Sequence, residues 1–276
     1  MSLVIEFGSR QHGCHDSHSD RDLMLIYDDS YQLSEKKYAF ERLGYSVTVC
    51  SRKKANYLSK SGGLFIRHVV FEGRMVDGNI KQLKSLRSSW MAASNYDAEI
   101  HSNQEMLAVL ERVPNNQLAG AVINDILICS IRNVLIRKLA NEGVYLFSWK
   151  DVIRESVTRG FIKHNEIAAL LLARRLKNIY RNGAKPIIND QLIGALESIS
   201  RNVIDKSRKI RFGKHREIIS LPDDQDTGSY AQLRAIELVC SYYSFDKSMN
   251  KYIQAIKDPN YFCNLGPNKA INRDAA

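Results

Sequence analysis

No uninterrupted apolar stretch in this chain reaches the roughly 18 residues that a membrane span requires, so the sequence predicts no membrane partner. Internal repeats are absent, which argues against solenoid and propeller architectures. Low-complexity tracts are absent too. The five cysteines (Cys14, Cys50, Cys129, Cys240 and Cys263) are odd in number and lack paired spacing. That excludes a disulfide framework and leaves free thiols in a reducing compartment as the expectation. Met1-Ser2-Leu3 runs straight into a strand-like segment, with no basic start and no cleavage site. The expected location is cytoplasmic.

What is present is ordinary globular material in one or two domains: 276 residues, 44% hydrophobic and 25% charged. The net charge of +10 suits an anionic partner without identifying one. Much of it is local. Arg201 to Arg216 holds seven basic residues against Asp205 alone. This segment reads first as a solvated basic face and, more sharply, as a nucleic-acid contact.

Two architectures follow one another along the chain. Leu3–Phe7, Leu23–Tyr27 and the alternating, β-branched Tyr45–Cys50 read as strands. Ser34 caps a helix through about Arg42, which Gly44 ends. Lys53–Ser59, Leu64–Phe71 and Ile80–Trp90 read as helices, and Arg74–Val76 as a short edge strand. Residues 91–104 are small and polar, a linker. From Glu105 to about 258 the pattern is helical, with Leu118–Leu139 as its longest run, then Trp149–Arg159, Asn165–Arg181, Asp190–Arg208, Tyr230–Tyr243 and Met249–Ile256. Residues 259–276 form a polar, loosely held tail. The expected fold is therefore an α+β domain over 1–90, a small mixed sheet with helices, followed by an all-α helical bundle.

Chemistry gathers in the first thirty residues. Leu3-Val4-Ile5-Glu6-Phe7 stops at Gly8-Ser9, and ten residues later Asp20-Arg21-Asp22 enters the next apolar run. Side chains at i and i+2 of a strand share a face, so Asp20 and Asp22 stand side by side. Adjacent carboxylates repel, and a cation between them relieves the repulsion. This order, spacing and placement resembles the nucleotidyltransferase superfamily, the fold of DNA polymerase beta and of the antibiotic nucleotidyltransferases. The resemblance implies a nucleotidyltransferase-type sheet and transfer of a nucleoside monophosphate from a nucleoside triphosphate to an acceptor hydroxyl on protein, RNA or a small molecule. It implies that Asp20 and Asp22 bind two Mg²⁺ ions. Gly8 and Ser9 would meet the triphosphate, with Arg10 adding a charge-assisted contact.

Active members of the family carry a third acid on the following strand, where this chain has Ser46 and Thr48. Glu6, Glu72 and Asp77 are the acids nearby in sequence. The departure leaves a second reading open: a catalytically degenerate, antitoxin-like module that binds nucleotide or nucleic acid. The stretch Leu58 to Gly73, with its Gly-Leu-Phe, His68 and Glu72-Gly73, is similar to a segment of bacterial nucleotidyltransferase-domain proteins. Its residues read as packing, with Leu64, Phe65, Val69 and Phe71 on the sheet and His68 paired to Glu72 at i, i+4. His12, Cys14, His15 and His18 are zinc-ligand types, but four ligands in seven loop residues leave little slack for a tetrahedral shell. They read instead as a polar cover over the triphosphate. In the helical half, Arg174 to Arg181 resembles the ending of helical domains attached to this catalytic fold. Arg174, Lys177 and Arg181 share a face at i, i+3 and i+7, either lining the cleft opposite Asp20 or forming a solvated basic face. Arg208 and His215 have the Arg-x6-His spacing of a helical ribonuclease family, though Gly213 interrupts a helix there.

Overall fold

The computed structural model describes residues 2–8, 21–28, 33–111, 113–114, 117–182, 184, 186–204 and 212–213. The chain is a mixed α+β protein that divides into two units. The first holds residues 1–95 and 145–150, the second 96–144 and 151–276.

The first unit is built on a four-stranded mixed sheet. Its strands are β1 (Ser2–Phe7), β2 (Arg21–Tyr27), β3 (Tyr45–Ser51) and β4 (Arg74–Asp77), in the order β3-β2-β1-β4. β1 runs antiparallel to both β2 and β4, while β2 and β3 are parallel. Parallel neighbours need a crossover, which α1 (Leu33–Arg42) supplies. Gly44 takes the left-handed conformation after it, with φ of +81°, as the sequence predicts.

Alternation along the strands divides the core in two. Leu3, Ile5, Phe7, Met24, Ile26 and Cys50 point to one face. There they meet α2 (Arg52–Lys60), α3 (Leu64–Arg67) and α4 (Ile80–Ser89) through Ala55, Ile66, Leu83 and Leu86. Val4, Leu23, Leu25 and Val47 point to the other face and meet Leu33 and Phe40 of α1. A sheet covered on both sides reads as near-continuous apolar runs, which is why Leu3–Phe7 and Leu23–Tyr27 stand out in the sequence.

The expected helix over Leu64–Phe71 is only partly α-helical. After Arg67 it widens into a π-helical turn, His68–Glu72. Gly73 follows in extended conformation, its backbone pressed against β1. A Cβ there would lie 2.3 Å from Val69 O and 2.4 Å from Ile5 Cγ2. Only a residue without a side chain lets the turn end so close to the sheet.

Helices make up most of the described part of the second unit: α5 (Asp97–Ala108), α6 (Gln117–Asn141), α7 (Trp149–Thr158, whose first two residues belong to the first unit), α8 (Ile167–Arg181) and α9 (Asp190–Val203). Most of the segment expected as a linker is in fact α5. Side-chain hydrogen bonds hold its start: the Tyr96 amide donates to Asn141 Oδ1, and Asn141 Nδ2 donates to Asp97. α6 is long and apolar enough to cross a membrane, but 78% of its apolar stretch is buried within the structure, as in a core helix. α9 spans Asp190–Val203, and residues 205–208 of the helix expected there lie outside the described residues. The helices expected over Tyr230–Tyr243 and Met249–Ile256 lie outside the described residues, as does the tail.

One ion pair anchors α8 to α6. Arg181 Nε and Nη2 donate to the two carboxylate oxygens of Asp125 at 2.8 and 2.9 Å, and the Asp125 side chain is fully buried. Removing the guanidinium takes two charge-assisted hydrogen bonds from a buried carboxylate, each worth about 1.5–3 kcal/mol. Arg181→Ala should lower the urea unfolding free energy by about 3–5 kcal/mol. Arg175→Ala, at an exposed position of the same helix, should change it by less than about 0.5 kcal/mol.

Candidate functional site

Asp22 and Gly8 come together at one end of the sheet. The β1–β2 register sets Phe7 opposite Asp22, and the β2–β3 register sets Ser46 beside it. Alternation with Met24 and Ile26 puts Asp22 on the face that carries Phe7. Gly8 leaves β1 at φ of +93°, and a Cβ built on it would lie 2.7 Å from Asp22 Oδ2. The backbone of Gly8 therefore lies directly against the carboxylate, in a conformation that disfavours a side chain. Ser9, Arg10 and Asp20 lie outside the described residues, as do His12, Cys14, His15 and His18. Among the described residues no group of three or more His, Cys, Asp or Glu side chains could hold a metal.

The register also sorts the candidate third acids. Glu6 pairs with Leu23 and so faces α1, opposite to Asp22. It is 5% exposed and lies 2.8 Å from Arg74 and 4.0 Å from Arg21. The hydrogen bond from Arg74 to Glu6 raises the guanidinium above its usual range. Arg21, the residue between the two aspartates, also turns to this face, where it bonds the Tyr45 hydroxyl and lies over the Tyr45 ring. Asp77 pairs with Val4, three residues from Phe7 along β1, and accepts a 2.8 Å hydrogen bond from Lys36, which lowers its pKa. Ser46 and Thr48 do share the face of Asp22, as the sequence predicts, with Ser46 exposed.

Glu72 is different. It bonds His68 Nδ1 at 2.8 Å, the i, i+4 pairing the sequence predicts. His68 meets the edge of Phe7 at a centroid distance of 5.6 Å and stacks on Phe147 at 4.7 Å. Phe7 is the cross-strand partner of Asp22, so the His68–Glu72 pair stands over the same end and face of the sheet. Sequence reasoning missed this neighbourhood because Phe147 returns to the first unit from far along the chain. Tyr145 returns with it, and joins Phe71 and Trp90 around the guanidinium of Arg67.

In the second unit, Arg181 of the predicted basic face is engaged by Asp125. Arg174 and Lys177 are half-buried on α8. Of the basic segment 201–216, residues 201–204 end α9 and its flank, and Phe212–Gly213 pairs with Val113–Pro114. Arg208 and His215 lie outside the described residues.

The chain matches no family model, and no curated protein matches it.

Alanine at Gly8 must adopt a left-handed conformation, which costs roughly 1–2 kcal/mol, and must also displace the Asp22 carboxylate. Gly8→Ala should therefore lower the urea unfolding free energy by at least that cost. Ser46→Ala, at an exposed position on the same face, should leave it nearly unchanged.

Proposed function

We propose that this protein is a Mg²⁺-dependent nucleotidyltransferase that moves a nucleoside monophosphate from a nucleoside triphosphate to an acceptor hydroxyl. The observation that carries the reading is the contact of Gly8 with Asp22. Gly8, without a side chain and at positive φ, lies directly against the half-buried Asp22 carboxylate near the start of β2. Backbone that open admits a phosphate group close to its amides, and a carboxylate beside it suits a divalent cation that neutralises both anions.

Asp22, together with Asp20, would hold the metal, which supplies Lewis-acid stabilisation of phosphoryl oxygens when bound. Gly8 and Ser9 would cradle the triphosphate, and Arg10 would add charge to its terminal phosphates. Arg74 and Arg21 neutralise Glu6 across the sheet, so the charge of Asp22 is not compounded by a second buried carboxylate on β1.

The non-catalytic reading also has an observation in its favour. The β3 position beside Asp22 is Ser46, and Glu6 and Asp77 point to the other face of the sheet. A binding module would keep the metal and triphosphate without turnover.

Calorimetric titration with non-hydrolysable analogues of the four triphosphates, with and without Mg²⁺, tests both readings. Binding should require Mg²⁺, and Asp22→Asn should weaken it at least tenfold, about 1.4 kcal/mol. Wild-type binding with pyrophosphate release from the hydrolysable triphosphate supports the enzyme. Binding without release supports the module, and no binding overturns both.

A further inference from the structure

We propose that His68, held by Glu72, is the general base that takes the proton from the acceptor hydroxyl; this rests on the nucleotidyltransferase reading above. Three observations converge on it. The first is position. His68 touches Phe7, whose cross-strand partner is Asp22, so the imidazole stands over the end of the sheet where Gly8 meets the carboxylate.

The second is orientation. Phe147 stacks on one face of the ring and Phe7 meets it edge-on. The 2.8 Å bond at Nδ1 fixes its rotation. A carboxylate only accepts hydrogen bonds, so it favours the tautomer with the proton on Nδ1 and leaves Nε2 as the basic nitrogen. Among the described residues Nε2 has no hydrogen-bond partner, and it is not sealed from solvent. The His68 side chain as a whole is only 13% exposed.

The third is the backbone. His68–Glu72 is a π-helical turn, a widening seen frequently at functional sites. The i, i+4 pair is therefore more than an ordinary surface contact on an α-helix. Among the described residues, the charged group bonded to His68 is Glu72 of its own turn, and β1 and residues 145–150 set the uncharged Phe7 and Phe147 against the ring. Arg67, the preceding residue, is directed into Phe71, Trp90 and Tyr145.

The step balances without a further reactant. Nε2 takes the hydroxyl proton, the acceptor oxygen bonds to the α-phosphorus, and the bond to the β-phosphate oxygen breaks. Pyrophosphate leaves with that electron pair, and the imidazolium returns its proton to solvent.

The test uses the full chain, Mg²⁺ and each of the four triphosphates, with water as the acceptor. His68→Gln should slow pyrophosphate release about 100-fold or more, while binding of the non-hydrolysable analogues stays within about twofold. The limb of the wild-type pH–rate profile that rises with pH should be missing from this variant. Glu72→Gln should slow release about tenfold, as loss of an orienting partner does. Nitrogen-15 spectra of the wild-type histidines, independent of turnover, should show the His68 proton on Nδ1. A wild-type proton on Nε2 overturns the proposal. So does a His68→Gln protein that releases pyrophosphate at the wild-type rate with an unchanged profile while Asp22→Asn is inactive, and that result leaves the nucleotidyltransferase reading standing. Wild-type binding without release overturns the base, and failure to bind any triphosphate overturns both.

Discussion

Strand β1 has an antiparallel neighbour on each side and a helical layer against each face, and every feature of the first unit is constrained by that position. In such a strand a shift of one residue would exchange the two faces entirely. Leu3, Ile5 and Phe7 serve one core, and Val4 and Glu6 meet the other side. The register is therefore fixed by burial along the whole strand, and it carries Gly8 to the carboxylate of Asp22 as a consequence. The geometry of the candidate site is inherited from the packing of apolar side chains several residues away.

The same alternation separates the charges. Glu6 and Asp22 come from adjacent strands at the same end of the sheet, yet they point to opposite sides. Glu6 is closed off by Arg74, Arg21 and the neighbouring Tyr45. A buried carboxylate needs such partners, because the cost of desolvating it alone is several kcal/mol. One face thus holds a satisfied structural cluster. The other carries Asp22 beside Gly8, Ser46 and the His68–Glu72 pair. Without the sheet register, counting acids near Asp22 in sequence would have grouped Glu6 and Asp77 with it, which the fold does not do.

Much of this order was legible in the residues themselves. The strands announce themselves by short apolar runs and β-branched alternation, the edge strand β4 by its brevity, and the helix end at Gly44 by its glycine. The i, i+4 relation of His68 and Glu72 could be read directly. What could not be read was the π-helical widening there. It has no periodicity signal of its own, and it ends at Gly73, whose backbone packs closely on Ile5 and Val69. Residues 91–96 are non-helical, as their composition suggests, but α5 over Asp97–Ala108 is small and polar at its start and gives little local signal; its first turn is held by Asn141 of α6, a contact no local pattern contains. The basic face of α8 was visible as spacing, but not the buried Asp125 that engages Arg181, since an Asp within an apolar helix does not declare its partner.

Residues 145–150 make the first unit discontinuous in sequence. Phe147 stacks on His68, Tyr145 closes the aromatic ring around Arg67, and Trp90 meets Tyr145 edge-on at 5.3 Å. Stacked and edge-on pairs of this kind contribute about 0.5–1.5 kcal/mol each beyond the area they bury. Several act here on a single helical segment, Leu64–Glu72. The segment that carries the proposed base is thus held from one side by β1 and from the other by chain that follows the whole of α6. A boundary drawn near residue 90, where the sequence changes character, would leave His68 with Phe7 and Glu72 but without the ring stacked on its face. The orientation of the imidazole is for this reason a property of the long chain, although Glu72, bonded to its Nδ1, lies within the first eighty residues.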